Sequence, residues 1–371
     1  MSTTPSTGQV DTDRIAPSPI AGVAGDVPLP EDLATLVAAA AEQFADRAPA
    51  GWPAPRGGRP SLPWLTEVAA YRAQHDAAAL LSQRASGAPV PEVQSVRYQQ
   101  IPLPAAADQA PSGAAQPAAL TGRVYRPNGA GPHPAILVFH GGAFWMGGGA
   151  TGFALNDALC RELCAGANAV VVNVDYRLAP EFAWPAQTDD GAAALRWVHR
   201  NASELNVDPQ RVAVLGISSG GHLAASLATR LVRQHGAPGD GELPPLAAQF
   251  LMAPALDVSL QRAATTDAER AELTALLSLY FAPDFPRGVD VDNPEVSPGY
   301  APPSGLPPTV LIAGDFDPVS AQCRPYAEKL AGAGVPVTLL RYPMTHTVAT
   351  PQTYARVNAD LVAQARRLLA R

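Results

Sequence analysis

Three cysteines in 371 residues (Cys160, Cys164 and Cys323) are too few for a disulfide framework, and their helical surroundings point to small buried thiols. Cys160 and Cys164 stand four apart on an expected helix, yet no further Cys or His in register completes a metal site, so a structural role is expected for them rather than metal ligation. Basic residues are scarce too: 26 Lys and Arg against 33 Asp and Glu leave a net charge of −7, with no basic run and no interleaved aromatic stripe. That pattern argues against a phosphate-tracking surface, and nucleic acid is not an expected partner. No apolar run reaches the length needed to span a bilayer. Residues 1–30 hold neither the charged start nor the apolar block of a secretory signal, so a soluble cytoplasmic protein is expected.

What the chain does have is apolar residues, 47% of the total, enough for a buried sheet flanked by helices in one core with added segments. Its 39 Pro and 31 Gly mark the tails and linkers. Residues 1–30, rich in Ser, Thr, Pro and Gly, bury too little to offset their ordering entropy and read as a loose tail. Residues 31–92 carry two helical patterns, EDLATLVAAAAEQFADRA and LPWLTEVAAYRAQHDAAALLSQRA, separated by the breaker-rich GWPAPRGGRP.

From residue 93 the rhythm changes. VQSVRYQQIPL and LTGRVYRP read as a strand pair joined by the loop PAAADQAPSGAAQPA. Six short β-branched runs then alternate with helical patterns: AILVFH, AVVVNVDY, RVAVLG, QFLMAP, TVLIAG and VTLLRY. Such alternation predicts an α/β fold with a mostly parallel eight-stranded sheet, and the near-continuous apolar strands predict helices on both faces. Residues 93–254 and 306–371 are then two parts of one core. The stretch 255–305, which contains DAERAELTALLSLYFAPDF, is too long for an ordinary connection and reads as a helical insertion. The last strand, VTLLRY, offers an edge on which two copies could pair.

Chemistry concentrates where strands end. RVAVLGISSGGHLAASLATRLVRQ runs from an apolar strand through Gly216-Ile217-Ser218-Ser219-Gly220 into a helical pattern. A strand-turn-helix of this type lifts a serine hydroxyl above the sheet and aims a helix N-terminus at the group it attacks, which makes Ser218 a candidate nucleophile. An ordinary tight turn is the plainer alternative. After AILVFH comes His140-Gly141-Gly142-Ala143-Phe144-Trp145-Met146-Gly147-Gly148, whose small residues leave backbone N–H groups open to a developing oxyanion. Gly142, Ala143 and Ser219 are the expected donors. A base is needed beyond the serine, and His346, in a short loop after VTLLRY, sits at the carboxyl edge of the sheet. His222, four residues after Ser218 on the same helix, points along that helix and suits packing or hydrogen bonding better. His75, His133, His199 and His235 read as solvated. For the acid, TVLIAGDFDPVSAQC supplies Asp315 and Asp317, with helix capping as the competing role for each. Asp317 is favoured because Pro318 can start the next helix, leaving the carboxylate in an exposed loop above the sheet.

Together these motifs resemble the hormone-sensitive lipase family of bacterial esterases, often called family IV, over roughly residues 95–371. HGGAFWMGG is similar to that family's HGGG loop, DYRLAPEFAWPAQ to its YRLAPE segment, GISSGGHLAA to its GDSAGG elbow, and GDFDPVSAQ and MTHTV to its acid and His loops. The resemblance implies the α/β-hydrolase fold and hydrolysis of carboxylic esters, a reaction that needs no metal or organic cofactor. Phe144 and Trp145 beside the glycine loop, with Leu and Phe in the flanking helices, suggest an apolar pocket for short- to medium-chain acyl groups. The resemblance also implies Ser218 as nucleophile, His346 as base, Asp317 as its orienter, and the N–H groups of Gly142, Ala143 and Ser219 as oxyanion donors. His140, Gly141 and the Asp175-Tyr176-Arg177 segment take supporting places, and residues 31–92 and 255–305 fold over the site as a cap. Ala143 in place of a third glycine, Ile217 in place of a polar residue, and Thr347-Val348 in place of Gly-Phe depart from the pattern, as does the lack of acidic residues after Asp317-Pro318. The same triad serves amides, lactones and formamides, and the same fold hosts noncatalytic small-molecule binders, usually with the base lost.

Overall fold

The computed structural model describes residues 28–45, 61–84, 90–104, 117–234, 245–259, 267–281 and 285–370. The expected N-terminal tail up to residue 27, the GWPAPRGGRP linker and most of the loop after the first strand lie outside the described residues.

Helices α1 (Glu31–Ala45) and α2 (Leu62–Arg84) precede the antiparallel pair β1 (Ser95–Pro102) and β2 (Ala119–Arg126). The alternating region follows with β3 (His133–Phe139), α3 (Gly149–Leu155), α4 (Asp157–Ala167), β4 (Val170–Asp175), α5 (Ala186–Arg200), α6 (Ala202–Leu205), β5 (Val207–Ile217), α7 (Ser219–Gln234) and β6 (Ala248–Met252). After α8 (Asp267–Tyr280) come β7 (Thr309–Gly314), α9 (Cys323–Gly332), β8 (Val337–Tyr342) and α10 (Pro351–Leu369). The eight strands lie in the order β1-β2-β4-β3-β5-β6-β7-β8. Pairing is antiparallel from β1 through β2 to β4 and parallel from there on. All six apolar runs are strands, and β7 and β8 have the predicted limits; β5 begins earlier, at Val207, which pairs with His133 ahead of an irregularity in register.

Strand periodicity divides the core in two. Leu137 and Phe139 of β3 face one way, against Leu195 of α5, Leu227 of α7 and Leu330 of α9. Ile136 and Val138 face the other, against Leu163 of α4 and Leu361 of α10. Every residue of β3 and β7 is buried, as expected of parallel strands covered on both sides. A third apolar cluster stands apart from both: Trp64 and Val68 of α2 meet Phe144 and Trp145, together with Leu277, Tyr280 and Phe281 around the end of α8.

Sheet order positions the loops. β3 and β5 are neighbours, with Phe139 opposite Gly216, so the segments that leave their carboxyl ends adjoin. β5, β6, β7 and β8 follow side by side, bringing the exits of β7 and β8 to the same edge. Among the described residues no helix is long and apolar enough to cross a membrane.

Candidate active site

The elbow between β5 and α7 is built on contact distances that only glycine tolerates. A Cβ on Gly216 would lie 2.0 Å from the Gly220 carbonyl oxygen, and one on Gly220 would lie 2.1 Å from that of Phe139. The close approach forces Ser218 to φ 54°, a left-handed conformation that side chains disfavour. The surroundings hold it there: Ser218 N–H donates to the Met252 carbonyl (2.8 Å), and its own carbonyl accepts from His222 N–H (3.0 Å). Oγ is thereby raised off the sheet at the start of the 16-residue α7, beside N–H groups that have no partner within the helix.

His346 arrives from the other end of the sheet. Its loop closes on itself through Thr345 N–H to the Val348 carbonyl (2.9 Å) and Val348 N–H to Thr345 Oγ1 (3.0 Å). It is laced to the β7 exit by Asp315 N–H to the Tyr342 carbonyl (2.9 Å) and Phe316 N–H to the Met344 carbonyl (3.1 Å). The imidazole Nε2 lies 2.8 Å from Ser218 Oγ, and Nδ1 lies 3.0 Å from Asp317 Oδ2. With a proton on Nδ1 donated to the carboxylate, Nε2 is left as the acceptor facing the serine hydroxyl.

Of the two acid candidates, only Asp317 reaches the imidazole; Asp315 pairs with Arg341. One expectation is corrected here. The Asp317 carboxylate does not stand in an exposed loop but has no solvent exposure at all. Its oxygens are filled from within: Oδ1 accepts from Val319 N–H (2.9 Å) and Oδ2 from Ser320 Oγ (2.6 Å) as well as from His346. A buried carboxylate needs this many donors to remain tolerable as a charge. Ser320, whose hydroxyl also receives Gly314 N–H (3.0 Å), was not singled out from sequence, although a serine three residues after an acid is a recognisable local pairing.

The loop after β3 carries three successive left-handed residues, Gly142 at φ 135°, Ala143 at φ 50° and Phe144 at φ 70°. It is folded back by Trp145 and Met146 N–H groups donating to the Gly142 carbonyl (3.0 and 2.8 Å). Among the described residues no hydrogen bond engages the N–H of Gly142, Ala143 or Ser219. Gly141 sits against the elbow, where an added Cβ would be 3.4 Å from Ser218 Cβ. His140 is buried, with Nδ1 2.7 Å from the Gly141 carbonyl, and burial lowers its pKa. Tyr176 stacks on that ring at 4.3 Å and donates its hydroxyl to the His140 carbonyl (2.7 Å). Asp175 Oδ1 accepts Gly149 N–H (2.7 Å), and Arg177 forks onto the buried Asp190 (2.6 to 3.0 Å).

The other histidines separate clearly from this group. His222 is buried with Nε2–H donating to the Val296 carbonyl (2.9 Å), and burial pushes its pKa down to about 4. A neutral ring tied to the insertion fits the packing role expected for it. His133 and His75 are not solvated as predicted: His133 is buried with Nδ1 3.2 Å from the Asn168 carbonyl, and His75 packs edge-on against Trp145. In both cases contacts with residues far along the chain, Asn168 for His133 and Trp145 for His75, cover a ring whose own segment gives no sign of them. His199 is half-buried, and His235 lies outside the described residues. All three cysteines are free and buried. Among the described residues no group of three His, Cys, Asp or Glu side chains is arranged to hold a metal ion. A cleft of about 420 Å³, lined by Thr121, Gly149, Asp175, Leu178 and Glu181 among others, includes neither Ser218 nor His346.

The profile of the alpha/beta hydrolase fold family matches residues 136–350, which contain every residue of this constellation. Carboxylesterase NlhH of Mycobacterium tuberculosis is 38% identical over 225 residues, covering 57% of this chain and 66%, just under two thirds, of the relative. An AB hydrolase superfamily protein of Schizosaccharomyces pombe is 35% identical over 253 residues, covering 65% of this chain and 70% of its own. Among solved structures, the hyperthermophilic esterase of the archaeon Pyrobaculum calidifontis superposes with a TM-score of 0.70 at 27% identity, covering 93% of this chain and 100% of that one. A bacterial heroin esterase does so with a TM-score of 0.70 at 28% identity, covering 92% and 100%.

Proposed function

Because the chain belongs to the α/β-hydrolase fold family, in its hormone-sensitive-lipase-like branch, we propose that it hydrolyses carboxylic esters through an acyl-enzyme on Ser218. The observation that carries this is the continuous contact from Ser218 Oγ to His346 Nε2 (2.8 Å) and from His346 Nδ1 to Asp317 (3.0 Å), with the serine on a strained elbow.

In the first half-reaction His346 Nε2 removes the hydroxyl proton as Ser218 Oγ attacks the ester carbonyl. Negative charge then develops on the carbonyl oxygen, and the N–H groups of Gly142, Ala143 and Ser219 stabilise it. Collapse expels the alcohol, which takes the proton from His346. Water enters and, deprotonated by His346, attacks the acyl carbon; the bond to Ser218 Oγ then breaks as His346 returns the proton to that oxygen, and the acid is released. Asp317 fixes the imidazole tautomer and stabilises its cation while keeping its own charge. Ala143 fills the place of a third glycine without loss of its N–H; its left-handed backbone costs about 1 kcal/mol relative to glycine.

Residues 31–92 and 255–305 form the cap in this account, supported by the cluster that joins Trp64, Phe144, Tyr280 and Phe281. Phe144 and Tyr280 stack at 3.8 Å, and such rings beside the oxyanion loop support an apolar pocket for short to medium acyl groups. Three unpaired thiols support a cytoplasmic location. The edge of β8 supports pairing of two copies, which a single-copy mass in sedimentation would rule out.

Turnover of p-nitrophenyl acetate, butyrate and octanoate, measured beside the matched p-nitroanilides, tests the bond assignment. Esters are expected to exceed anilides in kcat/KM by at least about 100-fold, a gap of nearly 3 kcal/mol. Equal or greater turnover of the anilides would move the assignment to an amidase on the same residues.

A further inference from the structure

Three successive left-handed residues, two of them not glycine, make the loop after β3 an unfavourable piece of backbone. Such a loop keeps its shape only where its surroundings impose it. Its N–H groups must also be correct to a fraction of an ångström, because a displacement of roughly 1 Å at a reacting centre costs about 100-fold in rate.

Much of that imposition comes from α2, more than sixty residues earlier in the chain. Arg72 Nε donates to the Trp145 carbonyl, and Gly147 N–H donates to Asp76 Oδ1 (3.1 Å). The same Arg72 reaches the next segment: Nη2 donates to the Ala179 carbonyl (2.9 Å), and the guanidinium forks onto Glu181 (3.0 and 2.8 Å). Ala179 N–H in turn donates to the Phe144 carbonyl (3.1 Å), closing a ring of hydrogen bonds through α2, the loop and residues 179–181. Arg72, His75 and Asp76 lie on one face of the helix at spacings of three and four, and His75 presents its edge to Trp145 between the two polar anchors. The Asp76 carboxylate is partly withdrawn from water, which raises its pKa against the opposing pull of Gly147 N–H and Arg72.

We propose that Arg72 and Asp76 are positioning residues that clamp the 142–147 loop into its left-handed shape, so that oxyanion stabilisation depends on the docking of α2. Neither side chain touches the reacting atoms. The inference rests on the esterase assignment for its effect on rate, but the clamp itself is a statement about backbone order. A helix expected only to cover the site thereby becomes part of what stabilises the transition state.

Two readouts test it on the full-length protein. Asp76→Ala and Arg72→Ala are expected to lower kcat on p-nitrophenyl butyrate by about 10- to 100-fold with KM changed less than about threefold, since the loss falls on the transition state. Asp76→Asn, which keeps an acceptor oxygen for Gly147 N–H, is expected to recover most of the rate and controls for misfolding. Amide hydrogen exchange over residues 141–149 is expected to quicken by about tenfold or more in both alanine variants and not in Asp76→Asn. Unchanged exchange in the alanine variants overturns the clamp, and so does a loss confined to KM or shared equally by Asp76→Asn. If the wild-type protein turns over no ester while exchange responds as stated, the esterase assignment falls and the clamp stands.

Discussion

Replacing Ser218 or His346 with alanine is expected to lower kcat on p-nitrophenyl butyrate by about 10⁶-fold, and replacing both is expected to cost no more than either alone. The reason lies in the 2.8 Å contact between the two side chains. A neutral serine hydroxyl is a poor nucleophile without a base, and the imidazole has nothing to activate without the serine, so each substitution removes the same step. The residual rate over water then comes from the oxyanion donors and substrate binding. KM should move by less than about threefold, because neither side chain holds the ester before attack. A double variant markedly slower than either single one, or a His346→Ala enzyme within tenfold of wild type, would mean that another group serves as base. His222 is not that group, since its Nε2–H is committed to the Val296 carbonyl.

Asp317→Asn is expected to lower kcat by about 10⁴-fold with the fold intact. The substitution keeps the shape of a side chain that has no solvent exposure. It changes what faces His346 Nδ1, however. The carboxylate accepts there, and the amide can present N–H instead, which turns the imidazole to the tautomer with its proton on Nε2. That proton then points at Ser218 Oγ, and the base can no longer accept. Val319 N–H, a fixed backbone donor, aims at the Oδ1 position and draws the amide oxygen there, which leaves the nitrogen at the Oδ2 position beside the imidazole and the rotatable Ser320 hydroxyl. Steady-state kcat with a melting temperature for each protein checks the prediction; a rate within about 100-fold of wild type would show that Asp317 acts through packing alone.

Much of this site was legible in the sequence because its parts sit at the ends of strands, and strands announce themselves locally. The apolar run TVLIAG stops at Gly314, and the acid must follow; VTLLRY stops at Tyr342, and His346 stands in the short loop beyond. Parallel pairing of β7 with β8 does the rest, setting Gly314 opposite Tyr342. The choice between Asp315 and Asp317 was resolved by partners that sequence does not display, Arg341 for the first and His346 for the second. Burial of the Asp317 carboxylate was misjudged because a loop after a strand usually faces water, whereas here Ser320 and the His346 loop close over it. The left-handed backbone of Ala143 and Phe144 was not foreseen either. A positive φ at a non-glycine residue has no local signature, and the contacts that reach this loop from α2 lie far away in the chain. Least legible were contacts such as Arg72 to Glu181 and Gly147 to Asp76, which depend on how a helix with little amphipathic pattern settles on the core.

Covalent trapping tests the central claim most directly. A fluorophosphonate forms a stable phosphonyl-serine only where a hydroxyl is activated by a neighbouring base and its product oxygen is received by backbone donors. Incubation of the protein with such a probe, followed by peptide mapping, is expected to place one equivalent on Ser218 and none on Ser219, with labelling lost in His346→Ala. A protein that stays unlabelled, or that carries the adduct on a different residue, would contradict the account.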